Sequence, residues 1–201
     1  MASTTPFLTA VASRHSRYDL LKASPVPNSR VVEIVNHALA DGPSPFNVRS
    51  ARCIVLFGEH HTDIWQHAYD VTERDTPGAL PILGPKIKGY KAAYGTVLFF
   101  DDSTASSTLS PRFQALYKQF PEWEEHSAGM HQYIVWTALT DEGLGCNLQH
   151  YQASIQPYMG EKYSIPKSWR CKAQLVFGSL GDGPYEKKEK PGLEGAMRVY
   201  E

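Results

Sequence analysis

The chain has 201 residues, 42% of them hydrophobic, which is enough for an ordinary core and fits one domain spanning 1–201. A formal net charge of −1 and an isoelectric point near 6.7 exclude the broad basic face that non-specific nucleic-acid binding requires. The longest apolar runs, CIVLF, TVLFF and YIVWTAL, are far shorter than the roughly 20 residues of a membrane-spanning helix, and three scattered cysteines, Cys53, Cys146 and Cys171, offer neither a disulfide framework nor a thiolate zinc set.

The first 18 residues hold arginine but no acid, and PFLTAVAS ends like a presequence cleavage site. The apolar stretch is short and no positive charge precedes it, which argues against secretion and leaves a mitochondrial presequence open. Within residues 5 to 22, Phe7, Leu8, Val11, Tyr18 and Leu21 recur at roughly helical spacing, predicting a first helix with SRHSRYDL (13–20) on it or just after it. That octet gathers Arg14, His15 and Arg17 with Ser13 and Ser16 before the first acid, Asp19. By itself it reads either as solvated surface or as an anion site, since arginine offers a rigid fork of donors suited to phosphate and serine adds a short neutral donor.

SRVVEIVNHALADG (29–42) predicts a second helix, capped by Asn28 or Ser29 and ended by Gly42. A Pro-rich turn, PSPFNVRS, leads into ARCIVLF (51–57), a buried strand. GEHHTDIWQHAYDVTER (58–74) reads as a helix, and TPGALPILGPKIKG (76–89), with three Pro and three Gly, as a connection or lid. YGTVLFFDD (94–102) is a second short strand. PEWEEHSAGMHQYIVWTALTDEGLG (121–145) predicts the longest helix, ending at Gly143 or Gly145, with Met130, Tyr133, Ile134, Trp136, Thr137 and Ala138 as the apolar face of a central buried element. CNLQHY is extended and CKAQLVFGS a clearer strand, before a polar Lys-rich tail (181–201) that either hangs free or wraps another surface. Helices and strands alternate without a repeat, which gives an α+β or α/β class.

On a helix, His60, Asp63 and His67 would share one face as a feasible two-His, one-carboxylate metal set. No HExxH is present and the run is amphipathic around Ile64 and Trp65, so no metal is assigned. Ser127 and Cys146 are the nearest approaches to a nucleophile, yet no G-x-S-x-G, no G-x-G-x-x-G after a strand and no Walker loop accompanies them. No side chain is assigned as catalytic. The remaining candidates are scattered: a basic start, PSPFN, EGLGCNLQHY and tail lysines. One ligand with a phosphate, a polyol and an aromatic ring could use them all, and FMN has that anatomy.

The order of SRHSRYDL, GPSPFNVRS, HSAGMHQYIVWTALTDEGLGCNLQHY, AQLVFGS and a Lys-rich tail resembles the FMN-dependent nitroreductases over nearly the whole chain. LFGEHHTDIW and YGTVLFFDD are similar to the family's short branch of fungi and some bacteria, the fatty-acid-repression type. The resemblance implies an α+β, nitroreductase-like sheet flanked by helices, an extensive homodimer, and FMN at the subunit interface. Carried over by position, Arg14, His15 and Ser16, with Arg17, hold the phosphate and ribityl chain. Lys188 or Lys190 returns from the tail to the same phosphate, Ser44 and Asn47 reach the flavin of the other subunit, and the backbone around Gln149 and His150 lies near the ring. Where the family often has Gln two residues after the Asn, and longer members continue with Pro-Trp, this chain has Arg49, Ser50 and Ala51. An Arg49 beside the flavin would favour a negative ring, and an Arg49 in solvent would not.

The implied activity is a ping-pong cycle in which NADPH or NADH delivers hydride to flavin N5, leaves, and is replaced by a nitroaromatic, N-oxide or quinone-type acceptor. Such chemistry needs orientation and donors for the reduced ring, not a side-chain nucleophile or metal. Two alternatives stand beside it: an FMN-binding regulatory protein with little turnover, and a flavin-dependent biosynthetic oxidase or dehydrogenase. Acceptor choice resides in loop shape, around residues 76 to 90. The expected partners are a second copy and a small aromatic acceptor, with no nucleic acid and no membrane, in the cytoplasm, the nucleus and mitochondrion being left open.

Overall fold

The middle strands of the sheet are near-continuous apolar runs because helices cover both faces. The computed structural model describes residues 5–116, 118–183, 185 and 191–201. Among them are β1 (Leu20–Leu21), β2 (Ala51–Phe57), β3 (Gly95–Asp102), β4 (Gly145–Gln149) and β5 (Trp169–Leu180). β3 lies between β2 and β5, and β5 also pairs β1 and β4, every pairing being antiparallel. Twelve residues make β5 long enough to serve three neighbours.

Strand alternation sorts the core into two layers. Val97, Phe99, Ala173, Leu175 and Phe177 meet Val31, Ile34, Val35 and Ala38 of α2 (Asn28–Asp41) and Val135 and Leu139 of α5 (Phe120–Asp141). On the opposite face, Leu98, Phe100 and Val176 meet Ile64, Trp65 and Ala68 of α3 (Gly58–Asp75), Ile87 and Tyr90 of α4 (Leu80–Ala92), and Ile155 and Met159 of α6 (Gln152–Tyr163). The register shifts between Phe99, opposite Ala173, and Phe100, opposite Cys171. Lys172 is the extra residue, and the bulge reverses parity so that Cys171 joins the other layer from Ala173. α1 (Pro6–Ser13) lies against α5.

This is the α+β sheet flanked by helices that the resemblance implies. Two local expectations change, and one element is new. Residues 76–89 are not a connection or lid: a 3₁₀ turn at Pro77–Ala79 runs into α4. Pro77 and Pro81 occupy first-turn positions whose N–H groups have no partner in any case, and only Pro85 removes an interior bond. Gly84 lets α4 close on α3, since a Cβ there would lie 3.3 Å from the Tyr69 ring. The second change is in α5, whose buried face runs through Ser127, His131, Val135 and Leu139, while Met130, Tyr133 and Ile134 are exposed. The new element is α6, which carries Pro157 and Gly160 within it and follows CNLQHY directly.

Candidate functional site

α1 ends at Ser13, where Arg14 turns to extended backbone (φ −64°, ψ 116°) and starts a strand-like segment. Ser16 forms a parallel bridge with Cys146 of β4, and the Arg17 N–H donates to the Cys146 carbonyl at 2.8 Å. The Asn147 side-chain amide donates to the Arg17 carbonyl at 2.7 Å. With the backbone pinned to β4, the Arg14 guanidinium lies 4.3 Å from the Trp136 ring and 5.7 Å from Tyr133. The Arg17 guanidinium sits 4.0 Å over Tyr185, whose ring is 6.1 Å from His15. Cation–π contacts hold a charge in place without neutralising it. Among the described residues neither arginine has a carboxylate within ion-pair distance. The Nε of Arg14 is buried with no hydrogen-bond partner among the described residues. Left so, a charged donor costs on the order of 1–3 kcal/mol, and an anion with several acceptor oxygens would remove that cost.

The C-terminal segment is led back to the same place. Gly181 N–H donates to the Asp19 carbonyl at 3.0 Å, and Gly183 N–H to the Asp19 carboxylate at 2.8 Å. A Cβ on Gly181 or Gly183 would lie 2.4 or 2.3 Å from that carboxylate, so the close approach requires glycine. Tyr185 then reaches Arg17 and His15. Lys188 and Lys190, expected at the phosphate, lie outside the described residues.

Gln149, at the end of β4, lines a cavity of about 460 Å³ with Tyr18, Pro85, Lys86, Gly89 and Tyr90. Its side-chain amide donates to Asn147 Oδ1 at 2.8 Å, so one asparagine ties the cavity wall to the Arg17 backbone. Burial raises the Tyr90 pKa and the neighbouring Tyr151 adds to it, which keeps the phenol neutral. His150 turns away and lines a different cavity, with Gln132, Gln152, Arg170 and Lys172. Sequence reasoning misses Tyr18, and it reaches Lys86 and Tyr90 only as part of the 76–90 segment assigned to acceptor choice, without naming either. Tyr18 fits a helical apolar spacing, and the other two belong to the segment whose prolines mask a helix.

Ser44 and Asn47 are not brought to Arg14. They flank Phe46, whose ring packs on Phe113, Phe120 and Trp123 at 4.9, 5.8 and 6.2 Å. Phe46, Asn47 and Arg49 all have positive φ, of 49°, 56° and 51°. The Ser44 hydroxyl accepts the Arg49 N–H at 2.9 Å, and Ser127 Oγ donates to the Pro43 carbonyl at 2.8 Å, which anchors the turn on α5. The exposed Arg49 guanidinium donates to the Ala40 carbonyl at 3.3 Å. Trp123 and Trp136 are 13 residues apart on α5, roughly 20 Å of helix, so this turn and Arg14 occupy opposite parts of α5 within one chain.

The other candidates are engaged elsewhere. His60 Nδ1 meets Tyr163 OH at 2.8 Å, Lys162 Nζ meets Asp63 at 2.5 Å, and the His67 ring stacks 4.3 Å from Tyr158. All three therefore fasten α3 to α6. Ser127 is spent on Pro43, and burial raises the Cys146 thiol pKa far above the range of a reactive thiolate.

Residues 11–179 match the Nitroreductase family, which makes this a nitroreductase-type oxidoreductase fold. The chain belongs to that family, in the branch that includes nitroreductase FRM2 of Saccharomyces cerevisiae, to which it is 33% identical over 202 residues, covering 100% of both chains. It is similar to nitroreductase CinD from Lactococcus lactis, solved in complex with nicotinic acid, at 31% identity and TM-score 0.86, covering 97% of this chain and 100% of that one. CinD has also been solved with chloramphenicol and with 4-nitrophenol. A Desulfovibrio desulfuricans chain solved in complex with FMN shares the fold, at 16% identity and TM-score 0.67, covering 96% of this chain and 95% of that one.

Proposed function

We propose that this nitroreductase-type protein is an FMN-dependent NAD(P)H oxidoreductase acting on nitroaromatic, N-oxide or quinone-type acceptors. The observation that carries the reading is the buried Arg14 Nε, without a partner among the described residues, beside an Arg17 that has no ion pair among them, a donor set that suits a phosphate monoester. FMN in the Desulfovibrio relative of the fold and small aromatic ligands in CinD support the same chemistry. When bound, FMN supplies a ring that takes a hydride equivalent from a nicotinamide and passes electrons to the acceptor.

The chain's own residues bind, orient and exclude water. Arg14, His15, Ser16 and Arg17 would grip the phosphate and ribityl chain, with Lys188 or Lys190 closing from the tail. Gln149, Tyr18 and Tyr90 would wall the ring, and Lys86 brings to that cavity a positive charge that favours the arrival of electrons. His150, whose side chain faces the other cavity, would contribute backbone only. Ser44 and Asn47 would serve the site of a second copy in a homodimer. The exposed Phe7, Leu8, Met130, Tyr133 and Ile134 on the adjoining helices α1 and α5 supply an apolar surface for that contact.

The test is an absorption spectrum followed by anaerobic mixing with NADPH and with NADH. About one flavin per chain, bleached rapidly by a nicotinamide and recoloured by 4-nitrophenol or a quinone, is the expected result. Flavin that stays oxidised would favour the regulatory or oxidase alternative, and protein that takes up no FMN would overturn the reading.

A further inference from the structure

α4 presents two opposite faces. Pro85, Lys86, Gly89 and Tyr90 face the cavity shared with Gln149, while Ile87, Lys88 and Lys91 face a cleft of about 580 Å³ between α4 and α3. The cleft is built from Trp65, Tyr69 and Ile87, and Lys22, Lys88 and Lys91 stand around it. Trp65 and Ile87 are buried in the core at 0% and 1% exposure, so they back a rigid floor whose accessible apolar surface comes from Tyr69 and Ala92. Among the described residues no carboxylate lines the cleft and none of the three lysines has an ion pair. Lys88 Nζ lies 5.1 Å from the Tyr69 ring, and Lys91 Nζ donates to Gln66 Oε1 at 2.6 Å. The amide of Gln66 in turn donates to Asp70 at 2.6 Å, so that nearby carboxylate is taken by an amide and not by an ammonium.

Three like charges gathered around an apolar recess repel one another unless an anion joins them. The volume lies within the range of small-molecule sites, and an apolar floor with a few converging polar groups is the anatomy of such a site. The floor requires a flat or aliphatic body, and the rim requires negative charge at one end of it. We propose that the α3–α4 cleft is a second ligand site, for an organic carboxylate with an apolar body, separate from the cavity on the other face of α4. An occupant would lie on Tyr69 and Ala92, over the buried Trp65, which packs on Tyr90 at 5.0 Å, and Tyr90 walls the cavity on the other side. The second site is therefore one side chain away from the first.

The probe is 2-naphthoate, titrated by calorimetry into the full chain as purified, with flavin content measured on the same sample. Saturable binding at about one per chain is expected. It should weaken at least tenfold for the neutral 2-naphthamide, for the triple substitution Lys22→Ala, Lys88→Ala and Lys91→Ala, and for Ala92→Trp, which fills the cleft from an exposed lining position. The amide comparison uses the unmodified chain, so it stands even if a variant does not fold. Absence of binding at millimolar probe, equal affinity for acid and amide, or unchanged affinity in the folded variants would overturn the proposal. The last result would place the probe on the opposite face of α4. Because the flavin content is read separately, a chain without FMN that still binds naphthoate would defeat the proposed activity and leave the cleft site standing.

Discussion

Replacing Glu124 by glutamine should remove a pH dependence that the fold places beneath the Phe46 turn. Glu124 of α5 and Asp101 of β3 are 6% and 2% exposed, two carboxyl groups in contact inside the protein. Burial first, then the charge and hydrogen bond of Asp101, push the Glu124 pKa up to about 7, although Lys172 and Arg170 of β5 pull it down. Lys172 is partly taken by Glu125, so it offsets the pair only in part. A carboxyl group that holds its proton more tightly when folded contributes stability that is complete below its unfolded value, about 4.5, and lost as pH rises through about 7. At about 1.4 kcal/mol per pH unit between those values, the ceiling is about 3 kcal/mol, and sharing of the titration with Asp101 brings the expected loss to about 1–2 kcal/mol.

The amide introduced by Glu124→Gln would donate to Asp101 as the protonated acid does and would not titrate. Urea unfolding at pH 4.2 and 8.5 should therefore show similar stability for the two proteins at the lower pH and an advantage of about 1–2 kcal/mol for Glu124→Gln at the higher. Phe120 and Trp123, in the same turn of α5, seat Phe46, so the 43–49 turn should loosen with the pair. Parallel pH curves for wild type and variant would refute the reasoning, since all other titrating groups cancel in the comparison.

Arg14→Ala should weaken FMN by about 1.5–3 kcal/mol, the range for hydrogen bonds to charged groups, in a fluorescence titration, and unchanged affinity would remove Arg14 from the site. Ile134→Glu, on the exposed face of α5, should shift light scattering from twice the 22.5 kDa chain mass toward the monomer and lower flavin content with it. A flavin-loaded monomer of the unmodified chain would contradict the shared site. Deleting 186–201 should shrink the preference for FMN over riboflavin, because the lost lysines act only on the phosphate, and a folded truncated chain with its full preference would leave that group to residues 14–17.

The elements legible in the sequence are those whose apolar period survives intact. ARCIVLF is β2 at the predicted bounds, YGTVLFFDD is β3 less one residue, and the helix predicted at 121–145 runs from Phe120 to Asp141. Legibility fails where proline and glycine interrupt a helix that tertiary packing nevertheless holds, as Pro81 and Pro85 do in α4 and Pro157 and Gly160 in α6. The same failure hides half of the cavity, because Lys86 and Tyr90 become neighbours of Gln149 only after α4 folds back over the sheet. The arginine octet is visible from charge alone, yet its anchoring to Cys146 and Asn147 joins residues about 130 positions apart and leaves no local trace. Most decisive is the span from Trp123 to Trp136. A pattern of motifs along a sequence cannot say that Ser44 and Asn47 sit at one part of α5 and Arg14 at another. Once that separation is on the molecule, both halves can serve one cofactor only if the second half comes from another copy, which is why the proposed chemistry and the proposed dimer stand or fall together.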